Sequence, residues 1–260
     1  MLLQTVPARR GLQWALQGMR TFWRQPLAMT GMFFLFMALV SVLSVLPLVG
    51  GVLALILMPS FTAGLMAATQ TAHEGRFPMP STLWAALRAP ASRGPMLRLG
   101  AFYAVGFLGL MGASALVDGG QFAQVYLGGQ PLSPEVVQSE SFQSALWVTM
   151  VLYVPLSMVF WHAPALVFWQ QVSPAKSLFF SWMACWRNKA AFALYALFWV
   201  GVFGAAAVLA MVVASLMGDI QMTLSILMPL ALMVAAMFFT SMLFTVKDCF
   251  SALPQPVEPA

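Results

Sequence analysis

Residues 190–217 read AAFALYALFWVGVFGAAAVLAMVVASLM, without a single Asp, Glu, Lys, Arg or His. A helix crosses a bilayer with about 20 apolar residues, and this stretch exceeds that length. Barrel strands alternate apolar and polar residues over about ten positions, so continuous apolarity selects a helix. Working outward, five further uncharged runs follow the same pattern: Leu27–Val49, a run from the turn Pro47-Leu48-Val49-Gly50-Gly51 to about Thr69, Leu99–Val117, Ala145–Phe168 and Met222–Thr245. The composition agrees, with 61% of the 260 residues hydrophobic and 7% charged, against roughly a quarter charged in soluble domains. The predicted fold is therefore all-α: a polytopic integral membrane protein of six transmembrane helices, joined by amphipathic helices at the membrane surface.

Lys and Arg near span ends favour the cytoplasmic side. All twelve basic residues fall before the first span, between the second and third, between the fourth and fifth, or after the sixth. The opposite connections hold only Asp118, Glu135, Glu140 and Asp219. This split predicts both termini in the cytoplasm and an inner-membrane location. The first apolar run is longer than a signal-peptide core of 7 to 15 residues and no small-residue cleavage site follows it, so it is expected to stay as an anchor. The net charge of +5 is spread around span ends rather than along an aromatic-lined groove, which points to anionic lipid headgroups and away from nucleic acid.

Three short amphipathic segments precede the first, third and fifth spans, at about residues 10–24, 80–88 and 174–188. In the first, Leu12, Leu16, Met19 and Trp23 form an apolar stripe beside Gln13, Gln17, Arg20 and Arg24. In the third, Ser173-Pro174 reads as a helix start, with Leu178, Phe179, Trp182, Met183 and Trp186 opposite Ser177, Ser181 and Asn188. The second, Pro80–Leu87, is expected to be broken by Pro90, Gly94 and Pro95. Each segment with its hairpin makes a possible tandem unit within one membrane domain: 9–69, 80–168 and 173–245. Arg20, Trp23, Arg24, Trp182, Trp186, Arg187 and Lys189 are the expected lipid-contact residues, with Trp at the boundary and basic groups toward phosphates.

Residues 168–181 (FWQQVSPAKSLFFS) and Cys185-Trp186-Arg187-Asn188-Lys189, with Phe192 and Tyr195, resemble a motif in bacterial multi-span proteins related to the membrane domain of glycerophosphodiester phosphodiesterases. The opening Val6-Pro7-Ala8-Arg9-Arg10-Gly11 is similar to an uncharacterised proteobacterial inner-membrane family. Both resemblances imply a fold and a cytoplasmic-membrane address. They carry over no catalytic residue, because the phosphodiesterase active site belongs to a separate soluble domain.

Chemistry-bearing residues are few. His162, in Phe160-Trp161-His162-Ala163-Pro164, is the one ionisable residue inside a span, and such residues are functional candidates. Pro155 and Pro164 are expected to bend this helix and free carbonyls, which a neutral His162 would bond; a substrate-contacting or proton-relay His162 is the other reading. Gly112-Ala113-Ser114-Ala115 resembles a rhomboid-type nucleophile pattern. Ser114 and His162 nevertheless lie on the order of 16 Å apart along the membrane normal, so Ser114 is read as packing. His73-Glu74 opens a zinc-protease pattern that Phe77 leaves unfinished. No metal site or cofactor is expected, and the scattered Met residues fit packing. Cys185 and Cys249 are expected as reduced thiols. The small residues Gly201, Gly204 and Ala205, and Gly100, Ala104, Gly109 and Ala113, permit close helix contact, with internal packing expected.

Residues 118–144 form the one sizeable connection on the acidic side. Ser133-Pro134-Glu135 reads as a capped helix start, and Phe122, Val125, Tyr126 and Leu127 suit a lid over the bundle, whereas the glycines and Gln residues suit solvated disorder. The functional expectation is a non-enzymatic membrane protein binding lipids or partner membrane proteins through its Trp- and Arg-rich faces. The alternative is a small transporter with a path near the fourth span and His162.

Overall fold

The computed structural model describes residues 2–46, 49–129, 133–217 and 220–250. The expected turn residues Pro47 and Leu48, the loop residues 130–132 and the acidic Asp219 lie outside them. The chain forms twelve α-helices among the described residues: α1 Arg10–Arg24, α2 Pro26–Ser44, α3 Gly50–His73, α4 Ala85–Arg88, α5 Pro90–Asp118, α6 Gln121–Gly128, α7 Pro134–Gln138, α8 Glu140–Phe160, α9 Ala163–Gln170, α10 Pro174–Arg187, α11 Lys189–Met217 and α12 Ile220–Cys249. Six segments are long and apolar enough to span a membrane: α2, α3, α5, α8 with α9, α11, and α12 from Leu227. The protein is an all-α polytopic membrane protein.

The spans form three hairpins, α2–α3, α5–α8/α9 and α11–α12, with α12 also packed against α2 and α3, and α3 against α5. Aromatic rings knit the centre. Phe33 lies 5.1 Å from Phe239 and Phe36 lies 6.1 Å from Phe61 between ring centroids. A Cβ at Gly100 would fall on the Ile56 carbonyl of α3, so the glycine is what lets α5 and α3 approach. Gly201 and Gly204 have no neighbour within 4 Å, and the apolar window of α11 is 6% buried against 56% for α3. Gly201, Gly204 and Ala205 therefore do not serve the internal packing expected of them, whereas Ala191 and Ala206 of the same helix do. Hydrophobicity drives no helix association inside lipid, so an apolar span can sit at the periphery.

The short segment ends at Arg88 before Pro90, as expected, but Gly94 and Pro95 do not interrupt the third span. α5 starts at Pro90 and runs through Pro95, because proline at the first helical position removes only a donor that has no intrahelical partner. The Ser92 hydroxyl then donates to the Ala86 carbonyl at 2.7 Å, tying α4 to α5.

At the acidic end, Asp118 closes α5 and opens α6. Its Oδ1 accepts from Gly120 N at 2.9 Å and its Oδ2 from Phe122 N at 2.6 Å. Phe122 is buried against Leu110, Met111, Phe142 and Ala145, so α6 covers the ends of α5 and α8 as a lid. Ser133 accepts from Val136 N at 3.3 Å, the cap that its position before Pro134 predicts.

Candidate functional site at the basic end

The fourth span is interrupted, and α10 holds the interruption. In a continuous helix His162 N would donate to the Met158 carbonyl four residues earlier. Pro164, near the start of α9, has no N–H for the Phe160 carbonyl and crowds that turn. Here His162 N donates to Ser181 Oγ at 2.9 Å, and Ser181 Oγ donates to Met158 O at 2.7 Å. One hydroxyl from a neighbouring helix is inserted into the ladder, a recognised cause of helix kinks. The Met158 carbonyl left free at the break is thus satisfied by Ser181, whereas the His162 ring, expected to bond a proline-freed carbonyl, meets Cys185. Pro155 stays within α8 without ending it.

His162 itself is fully buried. Its Nδ1 lies 3.8 Å from Cys185 Sγ, its ring meets Phe250 and Phe192 edge-on at 5.3 and 5.7 Å, and its Nε2 has no partner. Cys185 also reaches Met158 O at 3.7 Å. A spacing of 23 residues between His162 and Cys185 hides this juxtaposition from motif reading. Among the described residues no three His, Cys, Asp or Glu side chains converge as a metal site.

These contacts fix the inward face of α10. Ser177, Ser181, Ala184 and Cys185 are its buried face, while Phe179 and Trp186 are 58% and 55% exposed. Ser177, Ser181 and Cys185 recur at four-residue steps, so they form one stripe of small side chains that admits close approach. In lipid, polar groups seek partners inside the protein and apolar ones do not need to. That repeat is the signal by which sequence reading could have found the face.

Asn188, at the end of α10, extends the same seam. Its Oδ1 accepts from Val6 N at 2.8 Å, while Nδ2 donates to Gln4 O and Ala184 O at 3.0 Å and approaches Cys249 Sγ at 3.6 Å. The N-terminal segment is further paired with the end of α12 through Gln4 N and Cys249 O at 2.9 Å.

The first amphipathic helix is turned the same way. The stripe of α1 that is buried is Gly11, Trp14, Ala15, Gly18, Thr21 and Phe22, whereas Leu12, Leu16 and Trp23 are exposed. The helix is a strap laid across α11, α12 and α3. A Cβ at Gly11 would overlap the Ala191 carbonyl, and one at Gly18 would overlap Ser241. Trp14 Nε1 donates to Asp248 Oδ2 at 2.7 Å, and Arg10 Nε pairs with the same oxygen at 3.1 Å. At the far end Arg24 donates to the His73 carbonyl at 2.7 Å and Thr21 Oγ1 meets His73 Nδ1 at 3.2 Å.

The expected lipid-contact residues thus divide. Trp182 and Trp186 stack at 5.8 Å with a 14° interplanar angle, and Lys189 Nζ lies 5.6 Å over the Trp186 ring. Arg187 is exposed beside them, and Arg20 and Trp23 are exposed on α1. Arg24 is exposed as well, with Nη1 donating to the end of α3, where a cation complements the terminal carbonyls.

Burial raises the pKa of the Cys185 thiol, and the nearby Cys249 adds to the shift. The thiol rather than the reactive thiolate is therefore favoured. Maleimide labelling of Cys185 and Cys249 at pH 8 is expected to run about a hundredfold slower in the folded protein than in denaturant. Equal rates would show that the seam opens freely.

The chain is 36% identical over 259 residues to a probable inner membrane protein of Burkholderia thailandensis, covering 96% of this chain and 94% of that protein. The chain belongs to that protein's family. As a member of this inner-membrane family it shares nearly the whole length of its relative, so the strap, the broken span and α10 all fall within the matched region. No family model matches the chain, and no solved structure matches it. Neither comparison supports the likeness of residues 168–195 to the membrane domain of glycerophosphodiester phosphodiesterases.

Proposed function

We propose that this protein is a non-enzymatic inner-membrane protein, with both termini cytoplasmic, that binds anionic lipid through the outward face of α10. The observation that supports this reading is the stack of half-buried Trp182 on exposed Trp186, with Lys189 over the Trp186 ring. An aromatic pair beside Arg187 and Lys189 matches the chemistry of a headgroup region, where ring edges and basic groups face phosphates. The polar side chains of α10 are already occupied inside the protein, so its free surface is the aromatic and basic one. A transport path past His162 draws no support from a ring enclosed by Phe192, Phe250 and Cys185.

The test is tryptophan quenching by brominated lipid in nanodiscs, with reporter fusions after residue 130 and at the C-terminus for topology. Brominated phosphatidylglycerol is expected to quench more than brominated phosphatidylcholine at equal mole fraction. Trp182→Phe with Trp186→Phe, or Arg187→Gln with Lys189→Gln, should remove the difference. Equal quenching by the two lipids in the unaltered protein sinks the lipid reading, and a cytoplasmic reporter at 130 sinks the orientation.

A further inference from the structure

The far end of the strap meets the ends of α3 and α12 around His73. Arg24 Nη1 donates to the His73 carbonyl at 2.7 Å, and Thr21 Oγ1 lies 3.2 Å from His73 Nδ1. The His73 ring stands edge-on to Phe244 at 5.2 Å, and Lys247 Nζ lies 6.0 Å from the same Phe244 ring. Arg24 of the first helix and Lys247 of the last are the cations that act on His73. No residue of α10 takes part in these contacts.

Lys247 is half-buried and makes no hydrogen bond or ion pair among the described residues. The described part of this end of the molecule has two carboxylates, and both are engaged. Asp248 accepts from Trp14 and pairs with Arg10, while Glu74 pairs with Arg76 and accepts from Gln70. Glu74 also acts on His73 and Lys247, but Arg76 balances it, so Arg24 and Lys247 remain without a counter-charge. Withdrawing a cation from water is costly unless an anion neutralises it. With the Thr21 hydroxyl donating to Nδ1, the other ring nitrogen of His73 carries the proton and becomes a third donor. Trp23, next to Arg24, and Phe77, next to Arg76, are 58% and 63% exposed, and Gln25 Nε2 joins the two segments by donating to the Arg76 carbonyl at 3.0 Å. Exposed aromatic rings beside cations at the end of a span suit the headgroup level.

We infer that Arg24, Lys247 and His73 hold an anionic phosphate group at the junction of α1, α3 and α12. A phosphate offers several acceptor oxygens to donors that arrive from three different helices. The aromatic rim suits the headgroup of an anionic phospholipid, and a soluble phosphate ester would use the same donors. A zwitterionic headgroup brings an ammonium that needs a carboxylate, and Glu74 and Asp248 are both occupied. The bound group ties the strap to the last span through charges that the protein leaves open. This assignment does not rest on the lipid preference of the α10 aromatic face.

The experiment is native mass spectrometry of the delipidated full chain in detergent, offered phosphatidylglycerol, phosphatidylcholine with the same acyl chains, or inorganic phosphate. Phosphatidylglycerol is expected to be retained severalfold more than phosphatidylcholine. Lys247→Gln, which breaks no internal bond, should lower that retention about fivefold, the share of one cation at a membrane surface. Lys247→Arg should restore it, and Arg98→Gln, an exposed charge outside the junction, should leave it unchanged. Displacement of phosphatidylglycerol by millimolar inorganic phosphate assigns the headgroup phosphate as the recognised part. Binding of inorganic phosphate that Lys247→Gln weakens, with no preference between the lipids, assigns a soluble source instead. Equal retention of the two lipids with no phosphate adduct overturns the inference, as does full retention in Lys247→Gln or an equal loss in Arg98→Gln. The effect of Lys247→Gln should persist when Arg187→Gln and Lys189→Gln are also present, and Lys247→Gln alone should not alter the bromolipid difference at Trp182 and Trp186. Failure of one reading is thereby separable from failure of the other.

Discussion

Ser181→Ala is expected to destabilise the folded protein by about 3 kcal/mol, read as a loss of thermal stability in detergent. The alanine leaves His162 N and Met158 O facing each other across an interrupted ladder with no oxygen between them. Each buried polar group left unpaired costs about 1–3 kcal/mol, and the long contact from Cys185 Sγ to Met158 O, at 3.7 Å, is a weak substitute. Ser181→Thr keeps the hydroxyl and should retain most of the stability, so the pair separates loss of the bridge from change of volume. Combining Ser181→Ala with Cys185→Ala should cost more than the sum of the single changes, because the second removes the remaining donor to Met158 O. An unchanged melting temperature for Ser181→Ala would mean that the helix ladder closes without help and that the hydroxyl is incidental.

Gly18→Val is expected to be the most damaging single change, lowering stability by about 3 kcal/mol or more and in practice preventing recovery of folded protein. The added Cβ meets the backbone and Cβ of Ser241, which are not the movable end of a flexible side chain. Ser241 is itself held, with its Oγ 2.6 Å from Tyr195 Oη and 2.6 Å from the Phe238 carbonyl. The strap must therefore lift off α12, uncovering Trp14 and Phe22, both fully buried. Gly31→Ala in α2 is the matching control. Nothing lies within 4 Å of its would-be Cβ, so alanine should stabilise that helix by roughly 0.5–1 kcal/mol. Size-exclusion profiles before and after heating distinguish the two: if Gly18→Val gave a monodisperse peak of unaltered melting temperature, the close approach of α1 to α12 would be wrong.

The spans were legible because their signal is bulk apolarity over lengths that nothing else requires. The first and third short helices were legible from their side-chain rhythm, to within a residue or two of 10–24 and 174–188, whereas 80–88 divides into a 3-10 turn over Pro80–Trp84 and α4. Which of their faces packs on the protein was not legible. In α1 the visible stripe of Leu12, Leu16, Met19 and Trp23 competes with Gly11, Trp14, Ala15, Gly18 and Phe22. Apolarity does not choose between the two when lipid can cover either. What chooses is the space that Gly11 and Gly18 leave for α11 and α12, a property of neighbours far along the chain. The same holds for Ser181: proline at 164 marks a weakness in the fourth span, but the hydroxyl that fills it comes from another helix. Of the candidate site, Trp182, Trp186, Arg187 and Lys189 could be read as surface residues, whereas the engagement of Arg24 with the His73 carbonyl and the meeting of His162 with Cys185 are tertiary facts without local signature.

The strap also sets an order of events at the ribosome. α1 is made first, yet its buried face is covered by α11 and α12, which are made last. At about 5–20 residues per second, Trp14 and Phe22 wait on the order of ten seconds or more for their partners. Through that interval α1 is an amphipathic segment with an uncovered side, available to insertion chaperones and to membrane proteases. Synthesis that stops before Ser241 leaves Gly18 without the α12 surface it packs on, so the first helix is seated in full only when the last hairpin is made.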